Sequence, residues 1–537
     1  MRISKYLKDF PKSVAIAAGI FFALTTAFLL HRYYSGYFNY TNYDQSIFTQ
    51  LFWNGTHGKM FQSSLSSSLS AAVELDGELP KVFYYRLGQH FTPALLVWLP
   101  LYFLYPSAAT LMVLQAAIMT AGGIVLYFLA RHYLDEQKSI FIALSFYCAN
   151  AVIGPTLANF SDFCQIPLYV FSLLLALEKR YWWLFVGLSA LLLSVREDSG
   201  IILFSFGFYF LLSRRYPKIG LALCIFSFGY ILLVTNVIMP SFSEDISRRF
   251  MMEQFAGYVD GEEASTLEVI GGILSKPQLL FQELFSPLPQ LLRYLSGHWL
   301  PLAYIPAISP AAWLTTAFPL LTQLLRQDMW AFSINMRFVL AVVPGIFYGA
   351  IIWWSNHPGA LKLRFRRIWI LCLSLSLFFT FTSNPHRAWS FIIPDSVDPL
   401  VYVSLPQQWR HMGHLNSLQK QIPPDASVAA TTQILPHLAT RRQLLPFPRL
   451  QLINDAKETV DVDYGIADLW QFQQYQAAFD DNRLKLQELV PIIEQILVEG
   501  NYGLIGYEDG VILLQKGVSS EVEALAGWQG FLQDLAG

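Results

Sequence analysis

The run SVAIAAGIFFALTTAFLLHRY, residues 13–33, decides the class of this protein. It is long and apolar enough to cross the hydrocarbon core of a membrane as one helix. No small-residue cleavage site follows it, so we interpret it as an anchor rather than a removable signal peptide. Four basic residues lie between Arg2 and Lys12. The positive-inside rule therefore places this end of the chain in the cytoplasm.

Similar apolar runs recur downstream, in a chain of 537 residues that is 54% hydrophobic and 14% charged, with a mean hydropathy of +0.39. Further spans are predicted at 108–130, 138–157, 163–178, 181–195, 199–213, 217–239, 288–307, 310–325, 337–356 and 368–384. Basic turns such as Lys362–Arg367 fall on the cytoplasmic side of this arrangement. The sequence thus predicts an α-helical polytopic protein of the plasma (inner) membrane with about eleven crossings. No basic stripe indicates nucleic acid.

The outer side is predicted to carry two polar loops, at 34–92 and 240–287. The first includes a serine-rich section, Ser63 to Ser70, that its composition predicts to be mobile. Residues 93–106 are apolar but too short to cross, so we expect a re-entrant or interfacial segment. The loops and the spans together make residues 1–392 one membrane domain.

Residues 393–537 have the composition of a small water-soluble domain. Strands are predicted at 426–431, 462–467, 502–507 and 510–515, and a helix at 484–498. Gly-Tyr-Glu-Asp-Gly-Val, starting at Gly506, is a hairpin signal between the last two strands. We expect an α/β domain on the extracytoplasmic side.

The stretch YTNYDQSIFTQLFWNGTH, residues 40–57, follows the first span directly and holds one carboxylate, Asp44. Its apolar residues at 47, 48, 51 and 52 form a stripe that can lie on a membrane surface or on neighbouring helices. Asp44 stands where an N-cap is expected. The alternative is a catalytic base at the membrane boundary.

Further acids are predicted on the same face of the bundle. Arg196-Glu197-Asp198 ends one span, and the next begins at Gly200, which leaves almost no loop to keep these charges in water. Carboxylates so close to the bilayer need a partner, a cavity or a function. Asp162 lies in a short outer turn, where it is either an N-cap or a member of the same polar site.

Basic side chains accompany these acids. Arg86 and His90 precede the segment at 93–106, where they can position an acceptor or bind a phosphate. Arg326 and Arg337 fall on the outer side, against the charge rule. Guanidinium groups match phosphate well at a site of low dielectric, although Arg337 is equally explained as an interfacial snorkelling residue.

Three motifs resemble an uncharacterised family of predicted bacterial and archaeal membrane proteins: Tyr43–Gln50 with Trp53-Asn54, Arg86–Pro93 and Arg196–Asp198. The family is similar in layout to the GT-C glycosyltransferases, which take sugars from polyprenyl-phosphate donors. Asp44 falls where those enzymes have an acid after the first span. The family commonly has a His-Pro-Glu-like motif where this chain has Ser161-Asp162-Phe163, so the resemblance assigns no role to Asp162.

The resemblance implies a glycosyltransferase at the outer face, with membrane lipid and a polyprenyl-phosphate sugar donor as partners. Asp44 would act as base, and Arg337 with Arg86 or His90 would steady the departing phosphate. Glu197 and Asp198 would orient the acceptor or hold a divalent cation. Two carboxylates alone do not identify which metal that would be. The same charges suit a transporter or flippase, and a non-catalytic membrane assembly scaffold is a third alternative. Neither the sugar nor the oligomeric state follows from the sequence.

Overall fold

The computed structural model describes residues 10–35, 42–249, 255, 257–259, 263–326 and 332–536. The basic residues Arg2, Lys5 and Lys8 lie outside this range. Two compact units make up the chain. Unit 1 comprises Met1–Ala27, Leu87–Trp98 and Met112–Pro385, and unit 2 comprises Phe28–Arg86, Leu99–Leu111 and His386–Gly537. The first outer loop, expected in the membrane domain, thus groups mainly with the C-terminal residues.

The N-terminal half of the chain is helical. Its α-helices are α1 Lys12–Ser35, α2 Asn42–Thr56, α3 Ser64–Ser67, α4 Ala71–Glu74, α5 Leu99–Leu104, α6 Ala108–Tyr133, α7 Glu136–Cys148, α8 Asn150–Leu157, α9 Gln165–Glu178, α10 Trp182–Leu193, α11 Ser199–Leu212 and α12 Pro217–Leu233. Short 3-10 helices at Arg86–Gly88, Pro93–Trp98 and Asp162–Cys164 connect them, and a π-helix at Val234–Ile238 and a 3-10 turn at Met239–Ser241 extend α12.

Helices continue to residue 382. They are α13 Asp245–Arg249, α14 Thr266–Ser275, α15 Pro277–Phe285, α16 Leu288–Trp299, α17 Pro310–Leu324, α18 Val343–Asn356 and α19 Leu363–Thr382. Short 3-10 helices lie at Leu300–Leu302, Ile305–Ile308, Arg337–Ala341 and Pro385–Arg387. The predicted span at 288–307 is not one continuous helix, because α16 ends at Trp299 and both Ala303 and Tyr304 have positive φ angles. Residues in that conformation cannot continue a right-handed helix.

Five helices in the described part of the chain are long and apolar enough to cross a membrane, or six when the bent pair α7 and α8 counts as one span. The predicted spans at 163–178, 181–195, 199–213 and 310–325 are helices of 14, 12, 14 and 15 residues. A straight helix of that length falls short of the hydrocarbon thickness. Eleven crossings therefore stay a prediction.

The C-terminal part of unit 2 contains a five-stranded sheet. Its elements are β1 Ser396–Val397, β2 Leu400–Val401, α20 Leu405–Gln419, β3 Val428–Ala430, α21 Leu435–Leu438, β4 Leu444–Pro446, β5 Gln451–Ile453, β6 Thr459–Asp461, β7 Tyr464–Asp468, α22 Trp470–Tyr475, α23 Asp480–Glu499, β8 Tyr502–Glu508, β9 Val511–Lys516 and α24 Val522–Ala536. The strand order is β4-β3-β7-β9-β8, with β3 parallel to both neighbours and β9 antiparallel to both of its own.

The predicted strands and helix of this part are confirmed, with ends shifted by a few residues. The hairpin turn consists of Asp509 and Gly510, with φ angles of 48° and 77°. Two central residues of positive φ define a type I′ turn, whose twist matches that of the flanking strands. The apolar face of α23 packs on the sheet through Leu486, Leu489 and Ile493.

The sequence predicted that the serine-rich section is mobile. In the structure it is instead part of the core of unit 2. Ser63, Ser64, Ser66, Ser67 and Ser68 are all at most 1% exposed. Two short helices, α3 and α4, carry this section, each with a serine as its N-cap. Composition misled here because these hydroxyls are consumed by capping and tertiary hydrogen bonds.

Gln50 of α2 joins the first loop to the C-terminal residues of unit 2. Its Oε1 accepts from Ser63 Oγ at 2.6 Å, and its Nε2 donates to the carbonyls of Arg441 and Arg442 at 3.2 Å. Ser64 Oγ donates to the Leu444 carbonyl at 2.7 Å. Because all of these atoms are buried or partly buried, the bonds fix the conformation of the loop that carries Asp44.

His411 of α20 is the most strongly held ionisable group of unit 2. Its Nε2 lies 3.1 Å from Asp468 Oδ2 and its Nδ1 lies 3.0 Å from Asp509 Oδ2. The ring stacks on Trp470 with centroids 4.1 Å apart. Burial lowers the pKa of His411, but the two carboxylates outweigh it and raise the pKa to about 9. Both ring nitrogens therefore donate, as in an imidazolium.

We expect His411→Gln to remove a pH-dependent part of the stability. A folded pKa above the unfolded value of 6.5 stabilises the fold below that value, and the gain disappears as the pH rises through about 9. The difference in unfolding free energy between wild type and variant should be about 3 kcal/mol at pH 6 and close to zero at pH 10. Denaturant unfolding of the full chain in detergent measures it. His414→Gln, on the same helix at an exposed pair with Glu508, is the control; a difference that does not change with pH contradicts the assignment.

Candidate functional site

A buried glutamine holds the turn that carries Asp162. Gln115, in α6, is 1% exposed, and its Oε1 accepts from the Ser161 amide at 2.9 Å. Its Nε2 lies 3.1–3.4 Å from the carbonyl oxygens of Pro155, Thr156, Ala158 and Asn159. Because α8 ends here, its last carbonyls need a donor from outside the helix. Gln115 supplies that donor and so fixes the position of Asp162.

Arg196 connects the acidic residues of the site. Its Nη1 lies 3.6 Å from Asp162 Oδ2, and its Nε lies 3.4 Å from Glu197 Oε1 and 3.6 Å from Asp198 Oδ2. Asp162 and Glu197 are buried, whereas the side chain of Asp198 is 44% exposed. Since buried carboxylates need a compensating charge, this one guanidinium serves as the shared cation of the group.

His90 lies between Arg196 and Glu197. Its Nε2 is 3.2 Å from Arg196 Nη2, and its Nδ1 is 2.8 Å from Glu197 Oε1. A guanidinium is only a donor, so Nε2 must accept and the proton must sit on Nδ1. Glu197 Oε2 also accepts from the Phe91 amide at 2.9 Å. Glu197 therefore anchors the segment that carries His90.

Two more arginines lie in the same unit, around a pair of phenylalanines. The guanidinium of Arg196 is 5.0 Å from the Phe163 ring centroid, and that ring lies 5.6 Å from the ring of Phe338. Arg326 and Arg337 lie 3.7 Å and 5.3 Å from the Phe338 centroid. Cations bind the faces of such rings. The result is three guanidinium groups on two contacting aromatic rings, one on Phe163 and two on Phe338.

The charges of this group balance, with three arginines against Asp162, Glu197 and Asp198. Burial raises the pKa of the Glu197 carboxyl, and Arg196 opposes that shift. Burial likewise raises the pKa of the partly exposed Asp198 carboxyl, and Arg196 and Arg326 oppose that shift. Among the described residues no group of three or more His, Cys, Asp or Glu side chains could hold a metal ion. The cationic group next to the Glu197 and Asp198 carboxylates is the guanidinium of Arg196.

Asp44 and Arg86 belong to unit 2. The helix α2 begins at Asn42, so Asp44 lies within its first turn and is not the N-cap that the sequence predicted. Its side chain is half-buried. The stripe that contains Ile47 and Phe48 is buried, which excludes a position on the membrane surface. Arg86 is buried, with its guanidinium 5.1 Å from the Phe48 ring centroid. Their catalytic and binding roles stay predictions.

We expect Gln115→Leu to destabilise unit 1. The change leaves the Ser161 amide and the carbonyls at the end of α8 buried without their partner, at a cost of about 2–4 kcal/mol. It also releases the turn that carries Asp162. Thermal unfolding in detergent measures the effect, with Thr120→Val as control because Thr120 Oγ1 bonds only its own helix. Equal midpoints for the two variants would contradict this role.

The structure brings together five of the eight residues predicted for the site: His90, Asp162, Arg196, Glu197 and Asp198. Arg337 is linked to them through Phe338 and Phe163. The prediction missed Gln115 and did not include Arg326 in the site, although the position of Arg326 against the charge rule was a signal. Gln115 gave none, because a single glutamine in an apolar span resembles any polar residue facing another helix.

Long apolar helices with a buried group of paired charges beyond their ends define a polytopic membrane protein with a polar site. The chain belongs to the family described as "Predicted membrane protein (DUF2079)", whose model matches residues 33–513. This confirms the expected resemblance to an uncharacterised membrane protein family. No curated protein matches the chain. Among solved structures, it is similar to ArnT from Cupriavidus metallidurans bound to undecaprenyl phosphate, at 10% identity and a TM-score of 0.45, over 92% of this chain and 97% of that one.

Proposed function

We propose that this protein is a membrane glycosyltransferase of the GT-C type. It transfers a sugar from a polyprenyl-phosphate donor to an acceptor at the outer face of the plasma membrane, with its N-terminus in the cytoplasm and residues 393–537 outside. The observation that carries the proposal is the group of three arginines and three acids in unit 1. The family resemblance of the motifs around Asp44, His90 and Arg196 supports it.

Arg326 and Arg337 are the residues for the phosphate. Both are half-buried on the Phe338 ring, and a guanidinium is a planar, permanently charged donor suited to phosphate oxygens. Negative charge builds on the phosphate as the sugar leaves, so cations held in a site of low dielectric lower the barrier.

Arg196 and Glu197 are positioning residues in this proposal. Arg196 already faces three carboxylates and His90, so its charge organises the site instead of binding the donor. Glu197 holds the backbone at Phe91. The more exposed Asp198 orients the acceptor.

Asp44 takes the proton in the transfer step. The acceptor hydroxyl oxygen attacks the anomeric carbon, the bond from that carbon to the phosphate oxygen breaks, and the hydroxyl proton passes to the Asp44 carboxylate. The sugar is then joined to the acceptor, and polyprenyl phosphate leaves as the anion.

Labelled polyprenyl-phosphate sugars test the proposal. The purified full chain is reconstituted in liposomes with a panel of such donors and a membrane extract as acceptor, and the release of polyprenyl phosphate is measured. We expect release with at least one donor, reduced about 10²-fold or more in Arg326→Gln and Arg337→Gln. The exposed Arg293→Gln is the control. Movement of an intact donor across the bilayer without cleavage would instead indicate a transporter.

A further inference from the structure

A cavity of about 390 Å³ lies in unit 1 where the candidate spans α6 and α18 end. Its lining includes Tyr133, Lys138, Trp354 and Gly359. The basic segment Lys362–Arg367 follows two residues after the last lining residue, Ala360. Basic turns mark this end as cytoplasmic, so the cavity lies at the membrane end opposite to the proposed transfer reaction.

The cavity contains a buried ammonium group. Lys138 is 4% exposed, and its Nζ donates to the Gly359 carbonyl at 2.6 Å and lies 2.9 Å from Asp135 Oδ2. The Asp135 carboxylate has a second role as the N-cap of α7, where its Oδ1 accepts a hydrogen bond from the Lys138 amide. An ammonium carries three donors, of which these contacts occupy two, and the ammonium also lies 5.4 Å from the centroid of the Trp354 ring as a cation–π pair.

Trp354 adds a second donor. In the part of the chain that the structure describes, its Nε1 is buried and makes no hydrogen bond. Stacking on Trp369 and an edge contact with Phe365 hold the ring in place. A buried N–H without a partner costs about 1–3 kcal/mol, so a ligand that accepts from it is favoured.

Exposed basic residues follow the cavity lining in the sequence. Phe365, which contacts Trp354, lies in the first turn of α19, and its neighbours Lys362, Arg364 and Arg366 are exposed. The first turn of α19 contains no acidic residue, and its N-cap makes no side-chain hydrogen bond. Uncapped amides and the helix dipole add to the attraction for an anion.

From these contacts we infer that the cavity binds the headgroup phosphate of an anionic phospholipid of the cytoplasmic leaflet, such as phosphatidylglycerol. Basic pockets between membrane helices recognise such headgroups. The apolar residues Leu363, Ile368 and Leu371 of α19 are more than half exposed, which provides a surface for the acyl chains. A lipid therefore fits better than a free phosphate ion.

Lipid-dependent unfolding tests the inference. The full chain, purified in a neutral detergent, is heated with added phosphatidylglycerol, with phosphatidylcholine or with inorganic phosphate, and unfolding is followed by circular dichroism. We expect phosphatidylglycerol to raise the Tm by about 3 °C more than either of the other two. Equal shifts with the two lipids would overturn the inference, and a full shift with inorganic phosphate would indicate a free-ion site instead.

Two variants test whether the lipid binds in this cavity. Trp354→Phe removes the N–H donor but keeps an aromatic ring, and the triple variant Lys362→Gln, Arg364→Gln and Arg366→Gln removes exposed charge, so both should fold. Each should lose at least half of the difference between the two lipids. Lys218→Gln, an exposed basic residue outside the cavity lining, should keep the difference. A loss as large in Lys218→Gln, or none in the other two, would mean diffuse surface attraction and would overturn the site.

Discussion

We expect Asp44→Asn to abolish sugar transfer while the protein folds as the wild type does. An amide cannot accept the hydroxyl proton, and loss of a general base costs about 10²–10⁴ in rate. We expect the fold to tolerate the change, because Asn keeps the shape of the side chain and the interaction of a first-turn carboxylate with the helix dipole is worth about 0.3–1 kcal/mol. Release of polyprenyl phosphate in liposomes measures the first expectation, and the unfolding midpoint measures the second.

The matched control is Asp76→Asn, which removes an exposed carboxylate from the same loop. It should leave the rate unchanged. Asp44→Asn with more than a tenth of wild-type activity and an unchanged midpoint would remove Asp44 from the role of base. Activity that falls together with the midpoint would point to a structural role for Asp44 and would equally contradict the assignment.

Arg196→Met should lower both stability and transfer. It leaves the buried carboxylates of Asp162 and Glu197 without their shared cation, and breaking such a pair costs about 3–5 kcal/mol. His90 loses the donor at its Nε2 as well. Thermal unfolding should show a midpoint several degrees lower, and release from the donor should fall by at least 10²-fold.

Removing the charge of Asp162, a partner of Arg196, should restore part of the stability that Arg196→Met loses. In the double variant Arg196→Met with Asp162→Asn, one buried charge fewer needs compensation, so the midpoint should recover in part. The exposed Arg293→Met is the control and should unfold at the wild-type temperature. A double variant less stable than Arg196→Met would show that the Asp162 carboxylate is not the partner that matters.

Sequence patterns predicted the site best where short turns left the side chains little choice. Asp162, Glu197 and Asp198 had to lie at the ends of neighbouring helices, and they do meet at Arg196. Alternating apolar residues likewise predicted β7 and β9. In both cases a local pattern sufficed, because the partners are set by periodicity and by loop length.

Patterns failed where long-range hydrogen bonds decide. The serines at 63–68 have a composition typical of a mobile loop, yet Ser64 is buried by its bond to Leu444. The apolar segment at 288–307 is hydrophobic enough for a span, but positive φ angles at Ala303 and Tyr304 break it. No periodicity in the sequence encodes a partner 380 residues away or a left-handed backbone pair at non-glycine residues.

The hydrogen bonds of Gln50 and Ser64 also determine when the first loop can complete its folding during synthesis. They reach Arg441 and Leu444, which lie 391 and 380 residues further along the chain. At ribosomal speeds of roughly 5–20 residues per second, those acceptors are synthesised about 20–80 seconds after the loop itself. The segment that carries Asp44 is therefore among the last parts of the nascent protein to mature, and a ribosome that stalls before residue 441 leaves it unfinished.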